Sequence, residues 1–125
     1  MKFIISLFLL FMLEAVAEKP SLKESPYKLV KPSIGQGKPF FLEIGSESCH
    51  SCVVMGHTLY DVSQKHPEYN LHFINVKKER AVAFELSVRM IPTQIIYDKT
   101  GKEVYRHIGL LSKAELEKLF ETYAF

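Results

Sequence analysis

Apolar runs alternate along the chain with turn-forming residues, and their spacing predicts an alternation of strands and helices. Residues 39–44 (PFFLEI) form an apolar run interrupted only by Glu43, which predicts a buried strand. From Cys49 to about Lys65 the apolar residues recur at helical spacing, and His66-Pro67 ends the predicted helix. The pattern therefore predicts a central strand that leads almost directly into a long helix.

The remaining segments continue this alternation. They predict strands over 70–76, 94–97 and 103–108, a short helix over 79–87, a hairpin turn over 98–101, and a last helix that opens with the capping box Ser112–Glu115. This order predicts an α/β fold with a central mixed β-sheet flanked by helices. Residues 18–38 hold several prolines and glycines and form an N-terminal extension, in which Tyr27–Val30 is predicted as a short edge strand. The candidate core phenylalanines are Phe40, Phe41, Phe73 and Phe84.

Composition limits the classes of function. The chain has 125 residues, of which 47% are hydrophobic, and a formal net charge of +2. These values fit a single globular domain over residues 39–125. The basic residues are scattered rather than clustered, so we expect no nucleic-acid partner. We expect the protein to act as a monomer.

The N-terminus has the pattern of an export signal. Met1-Lys2 is a short basic start, residues 3–13 are almost entirely apolar, and Ala15-Val16-Ala17 offers the small residues that a signal peptidase needs. The apolar run is about half of the ~20 residues that a membrane-spanning helix requires. We expect residues 1–17 to be a signal peptide cleaved after Ala17 and the protein to be periplasmic, with an uncleaved anchor as the alternative.

The two cysteines, Cys49 and Cys52, form a C-x-x-C pair at the junction of the predicted strand and helix. In a first helical turn, unpaired backbone N–H groups and the helix dipole would stabilise a Cys49 thiolate, the form that attacks disulfides. Cys52 lies one turn on, close enough to form a disulfide with Cys49 or to resolve a mixed one. Such a short loop adds little stability, so the spacing favours thiol–disulfide exchange over a structural disulfide or binding without turnover.

Four features in this order resemble the thioredoxin superfamily over residues 38–120. They are Cys49-His50-Ser51-Cys52 after a strand, Ile91-Pro92-Thr93 before a strand, the hairpin at 98–101, and Gly109 followed by the capped last helix. The resemblance implies a thioredoxin fold and a protein thiol–disulfide oxidoreductase that works through a redox-active Cys49–Cys52 disulfide, with no cofactor and no metal.

The resemblance also implies roles for residues around the pair. Pro92 would be cis and lie against the cysteines, the backbone of Ile91 would pair with an extended substrate peptide, and Gly109 would let that peptide approach. Glu43 matches the buried acid of the family, where burial raises the pKa and suits the carboxyl to accept the Cys52 proton. The alternative for Glu43 is a solvent-facing position at a strand edge.

Several positions depart from the family pattern, among them the Gly-Pro dipeptide between the cysteines, which is His50-Ser51 here. The lysine near the buried acid is replaced by Phe73, so Glu43 would lack a cationic partner. The tryptophan that often precedes the first cysteine is Ser48, and the proline that kinks the helix in many thioredoxins aligns with His57.

The direction of electron flow depends on opposing features. A charged His50 beside Cys49 would make the disulfide more oxidising. Ile91 before Pro92 resembles the reducing members instead, as does the lack of the large insertion that dedicated oxidants carry before this proline. A histidine that shifts a pKa by one unit contributes about 1.4 kcal/mol, a small part of the ~7 kcal/mol range of the superfamily. We therefore expect a reductase.

An exported reductase needs electrons from across the membrane, so its expected donor is a membrane thiol-transfer protein. Its expected substrates are oxidised exported proteins, among them apocytochromes c with their C-x-x-C-H haem sites. A disulfide oxidant or an isomerase is the alternative.

A carrier of copper or zinc is a less favoured alternative, because helical residues at the candidate ligands do not converge easily on one point. Those ligands are Cys49, His50, Cys52 and His57. The remaining histidines have no second metal-ligand candidate paired with them in the sequence and are assigned no role. They are His66, His72 and His107.

Overall fold

One mixed sheet of four strands organises residues 18–125, the part of the chain that the computed structural model describes. The strands are β1 (Phe40–Gly45), β2 (Leu71–Asn75), β3 (Thr93–Tyr97) and β4 (Glu103–Ile108). Their spatial order is β2-β1-β3-β4, with β1 parallel to β2 and antiparallel to β3, and with β3 antiparallel to β4. The predicted mixed sheet is confirmed, whereas the predicted signal peptide, residues 1–17, lies outside the described residues.

Helices cover both faces of this sheet. They are α1 (Tyr27–Val30), α2 (His50–Lys65), α3 (Arg80–Glu85) and α4 (Lys113–Thr122), and a 3₁₀ turn (Lys31–Ser33) follows α1. The predicted capping box at the start of α4 is confirmed, since the side chains of Ser112 and Glu115 each accept a hydrogen bond from the other's backbone N–H. Within residues 18–125, none of the helices has the length and apolarity needed to cross a membrane.

Successive side chains of β1 point to opposite faces of the sheet, so the core is divided into two layers. Phe40, Leu42 and Ile44 pack on the face that α1 and α3 cover, through residues such as Val82. Phe41 packs on the opposite face against α2 and α4. Every residue of β1 is buried, so the strand is covered on both faces, which explains why its sequence is apolar apart from Glu43.

The segment Tyr27–Val30 is helical, so its prediction as an edge strand is wrong. Tyr27 and Val30 are both buried, and a spacing of three residues brings two side chains to one face of a helix. The Tyr27 N–H at the start of α1 donates to the carboxylate of Glu79, at 3.2 and 3.3 Å. Pairing with the edge of β2 occurs earlier in the chain, where Glu24 forms an isolated parallel bridge with Phe73.

Phe84 is also placed differently from its prediction as a core residue. Its side chain is 86% exposed, while Val82, two residues earlier on α3, is buried. Positions two apart on a helix lie on nearly opposite sides, so a helix that buries Val82 against the sheet turns Phe84 to solvent.

Residues 20–25 form an extended segment, here called the N-terminal strap, that crosses α2 and reaches the edge of β2. Leu22 N–H donates to Gly56 O at 3.0 Å, and Ser25 N–H donates to Phe73 O at 2.8 Å. The ring Nδ1 of His57 lies 2.9 Å from Pro20 O. Gly56 leaves room for this crossing, since a Cβ there would meet the side chain of Ser21.

Candidate active site

Cys49 caps the helix that carries Cys52. Cys49 has extended backbone angles (φ −97°, ψ 118°) and is the N-cap of α2, and its Sγ accepts the N–H of Cys52 at 3.4 Å. Sequence reasoning placed Cys49 inside the first turn, and the structure places it just before that turn. The sulfur therefore faces the free N–H groups of the helix start, an environment that favours negative charge. Both thiols are free.

The turn between β1 and Cys49 is held by side chains from the end of β2. The Asn75 amide donates to the Glu47 carboxylate, and Lys77 donates to the Ser48 hydroxyl. Asn75 is buried, and its side-chain oxygen also accepts the Lys77 N–H at 3.1 Å. These contacts fix the end of the loop from which the helix and its first cysteine begin.

The loop before β3 lies beside the reactive sulfur. Cys49 Sγ is 4.0 Å from Ile91 O, the Ile91–Pro92 peptide bond is cis, and Pro92 itself is buried. Gly109 N–H donates to Pro92 O at 2.8 Å. Gly109 has φ +104°, a region that favours glycine, and the space where a Cβ would point is open. The structure thus brings together Cys49, Cys52, Ile91, Pro92 and Gly109.

Apolar side chains border this group on the protein surface. Met90 is 62% exposed, and Ile108 and Leu110, which flank Gly109, are each about half exposed. An exposed apolar border of this kind is suited to the side chains of an extended peptide.

Cys52 differs from Cys49 in its environment. Its side chain is only 6% exposed. Burial, together with the hydrogen bond to Cys49 and the negative charges of Cys49 and Glu43, raises the pKa of the Cys52 thiol to about 12. Cys52 therefore needs a proton acceptor before it can act as a nucleophile near neutral pH.

Glu43 lies where it could serve as that acceptor. It is 1% exposed and, with Cys52 and Phe73, lines a cavity of about 590 Å³ that the strap residues Ser21 and Leu22 also border. Burial raises the pKa of Glu43 well above its ordinary value, the hydrogen bond from Gln94 opposes this rise, and the charge of Cys49 adds to it. The solvent-facing alternative for Glu43 is wrong.

Gln94 is a site residue that sequence reasoning missed. Its Nε2 lies 3.3 and 3.2 Å from the two Glu43 carboxyl oxygens and 3.0 Å from Gly109 O. His107, which was assigned no role, places its Nδ1 2.8 Å from Gln94 Oε1. The available signal was a single amide in the apolar run TQIIY, since a buried polar side chain requires partners.

The other candidate residues lie outside this group. His50 follows Cys49 and is exposed, and His57 contacts the strap rather than a cysteine. Within residues 18–125, no three His, Cys, Asp or Glu side chains are grouped so that they could hold a metal ion.

A protein-family model for the thioredoxin-like domain matches residues 28–124. This chain belongs to the thioredoxin superfamily. The thioredoxin of Mycoplasmoides gallisepticum (strain R(low / passage 15 / clone 2)) is 24% identical over 88 residues, which make up 70% of this chain and 87% of that protein. The fold and the neighbouring cysteines of this thioredoxin-like protein support thiol–disulfide oxidoreductase chemistry in general.

Solved thioredoxin structures are similar to this thioredoxin-like protein. Thioredoxin NaTrxh from Nicotiana alata is 28% identical, with a TM-score of 0.70 over 84% of this chain and 92% of that one. Chloroplastic thioredoxin z is 17% identical, with a TM-score of 0.74 over 83% and 95%. The second likeness shows the fold alone.

The two thiols should differ in reactivity. At about pH 7, iodoacetamide should modify Cys49 in the folded, reduced protein and leave Cys52 unmodified, because Cys52 is buried and its pKa is raised to about 12. Tandem mass spectrometry of the peptide that contains both residues checks this. In urea both thiols should react. Equal labelling of the folded protein would contradict the proposed difference.

Glu43 should make stability depend on pH. Its pKa is raised in the folded state, so the stability it contributes is complete below the unfolded value of about 4.3 and is lost as pH rises through the folded value. Glu43→Gln should remove this loss, so that the variant gains stability relative to the reduced wild type as pH rises. Urea unfolding of the reduced proteins between about pH 4 and 9 measures the effect.

The exposed Glu121 on α4 provides a matched control. Glu121→Gln should keep the pH dependence of the wild type. If Glu43→Gln kept it as well, the carboxyl would not titrate differently in the folded and unfolded states.

Proposed function

We propose that this protein is an exported thiol–disulfide oxidoreductase that reduces disulfides in other exported proteins. The observation that carries the proposal is the position of Cys49 Sγ, which caps α2 and lies 4.0 Å from Ile91 O, next to Pro92. A sulfur at this point accepts a backbone N–H at the positive end of the helix dipole and is adjacent to a backbone segment that can pair with an extended client.

In the first step, the Cys49 thiolate attacks one sulfur of the client disulfide. A bond forms between Cys49 and that sulfur, the client disulfide breaks, and the other client sulfur leaves as a thiolate. In the second step, Cys52 passes its proton to Glu43 and attacks Cys49 Sγ, which releases the second client thiolate. The client gains two electrons, and the protein is left with a Cys49–Cys52 disulfide.

Two features favour the reducing direction. Only the short helix α3 lies between β2 and the loop that holds Pro92 within the described chain, which agrees with the absence of an oxidant-type insertion. His50, the feature that argues for an oxidant, is exposed. Solvent and salt screen the charge of an exposed side chain, so its effect on the potential is small.

The donor and the substrates follow from the proposed location. A dithiol of a membrane thiol-transfer protein would reduce the Cys49–Cys52 disulfide and become oxidised in turn. Oxidised cysteines of exported proteins would accept the electrons, including the C-x-x-C-H sites of apocytochromes c. This assignment depends on the export signal expected in residues 1–17.

Removal of the resolving thiol should trap clients. Cys52→Ala leaves Cys49 able to attack but removes the nucleophile of the second step, so mixed disulfides with exported proteins should accumulate. Nonreducing gels and mass spectrometry of protein purified from the periplasmic fraction check this. Cys49→Ala is the matched control and should trap no client. A Cys52→Ala variant without adducts would favour a binding role without turnover.

The direction of transfer should be measurable on the purified protein. We expect a potential closer to the value of about −270 mV for thioredoxin than to about −120 mV for the strong oxidants. Equilibration of the Cys49–Cys52 pair with glutathione gives this value, and the reduced protein should also cleave the disulfides of insulin. A potential near the oxidant value together with no insulin reduction would assign the protein as an oxidant.

A further inference from the structure

A row of polar side chains leads from Glu43 across the sheet to its edge. Glu43 pairs with Gln94 between β1 and β3, and Gln94 pairs with His107 between β3 and β4. Residues directly opposite one another in paired strands project on the same face. The three side chains therefore lie side by side beneath α2 and α4, next to the apolar row formed by Phe41 and Ile96.

The contacts determine which way the Gln94 amide is oriented. Gly109 O can only accept a hydrogen bond, so the atom 3.0 Å from it must be the amide nitrogen. The amide oxygen then faces His107 Nδ1 at 2.8 Å, and this ring nitrogen must carry the hydrogen. A flipped amide would place two acceptors against each other at Gly109. One N–H of Gln94 consequently remains for the Glu43 carboxyl.

We propose that Gln94 and His107 are positioning residues that hold the Glu43 carboxyl for proton transfer from Cys52. The inference rests on the proposed exchange function. Gln94 is 0% exposed, and its N–H favours the ionised carboxylate, the form that can accept a proton. The hydrogen bond that His107 donates to Oε1 polarises the amide and strengthens its donation to Glu43. Cys52 and Glu43 share the cavity behind the cysteine pair.

Other groups that titrate or carry charge also face this row. The charge of Cys49, the N-cap of α2, acts on Glu43, and the charge of Glu43 acts on the Cys52 thiol of α2. The same cavity is also lined by Glu18, Lys19, Glu47 and His57. Around His107 are Tyr105, whose ring is stacked 6.4 Å away, and Glu115 and Lys118 of α4. A test must therefore follow the acceptor step itself and compare each variant with one that lacks Glu43.

The two steps of exchange can be separated with dithiobis-nitrobenzoate, an aromatic disulfide. Cys49 attacks it, forms a mixed disulfide and releases one coloured thiolate. Cys52 then loses its proton, attacks Cys49 Sγ and releases the second thiolate. Stopped-flow absorbance with equimolar reagent records two phases, and the pH dependence of the second phase reports on the proton acceptor of Cys52.

Gln94→Leu keeps the size of the side chain but removes the donor to Glu43. We expect it to move the midpoint of the second phase upward by about one pH unit, which slows this phase about tenfold on the acid side of the midpoint. His107→Phe should shift the midpoint in the same direction by less. His107→Gln retains an N–H donor and should therefore keep the wild-type pH profile of the second phase.

Two further comparisons separate positioning from a purely structural role. In a Glu43→Gln background, Gln94→Leu and His107→Phe should cause no additional slowing of the second phase. His72→Phe is the matched control: this residue bonds Asn70 Oδ1 and stacks on Phe40, on the other face of the sheet, and should leave both phases unchanged.

Three results would overturn the proposal. The first is a second phase whose pH midpoint is the same in Gln94→Leu and His107→Phe as in the wild type, although the thermal stability of these variants falls. The second is a Glu43→Gln variant with a wild-type second phase, since Glu43 would then not be the acceptor. The third is a wild-type protein that shows no first phase. This result would overturn the proposed exchange function itself. It is distinguishable from the other two results because both of those leave the first phase in place.

Discussion

The hydrogen bond from Cys52 N–H to Cys49 Sγ joins the fold of this protein to its chemistry. An N-cap position is usually filled by the oxygen of Ser, Thr, Asp or Asn. A neutral thiol is a weak acceptor, whereas a thiolate accepts a charge-assisted hydrogen bond. The contact that begins α2 is therefore strongest when the sulfur is in its reactive form, and the rest of the site is built around that sulfur.

The parts of the site that sequence predicts are those encoded by neighbouring residues. The apolar run of β1, the C-x-x-C pair and the capping box at Ser112 are local patterns. Each lies where its pattern indicates, except that Cys49 is the N-cap of α2 and not a residue of its first turn. The burial of Glu43 is implied by its match to the buried acid of the superfamily, with a solvent-facing position as the alternative. The superfamily resemblance then supplied the expectation that Pro92 lies beside the cysteines.

The parts that sequence does not predict depend on partners far away in the chain. The N–H at the start of α1 is satisfied by Glu79, 52 positions after Tyr27. The position of Gln94 between Glu43 and His107 depends on two strand pairings. The residues next to Gln94 and His107 in the sequence do not specify these pairings. Phe73 replaces the lysine of the family on one neighbouring strand, so the sequence predicts that Glu43 lacks a cationic partner. It does not predict the neutral donor, Gln94, which comes from the strand on the other side.

The N-terminal strap bears on where the domain should be considered to begin. The family match starts at residue 28, yet Ser21 and Leu22 of the strap form part of the wall of the cavity that contains Glu43. A recombinant version trimmed to the family boundary would keep every strand of the sheet but would admit water to the carboxyl. In that higher local dielectric, the energetic penalty for charging Glu43 would decrease, so trimming would alter the proton chemistry of the dithiol without touching either sulfur.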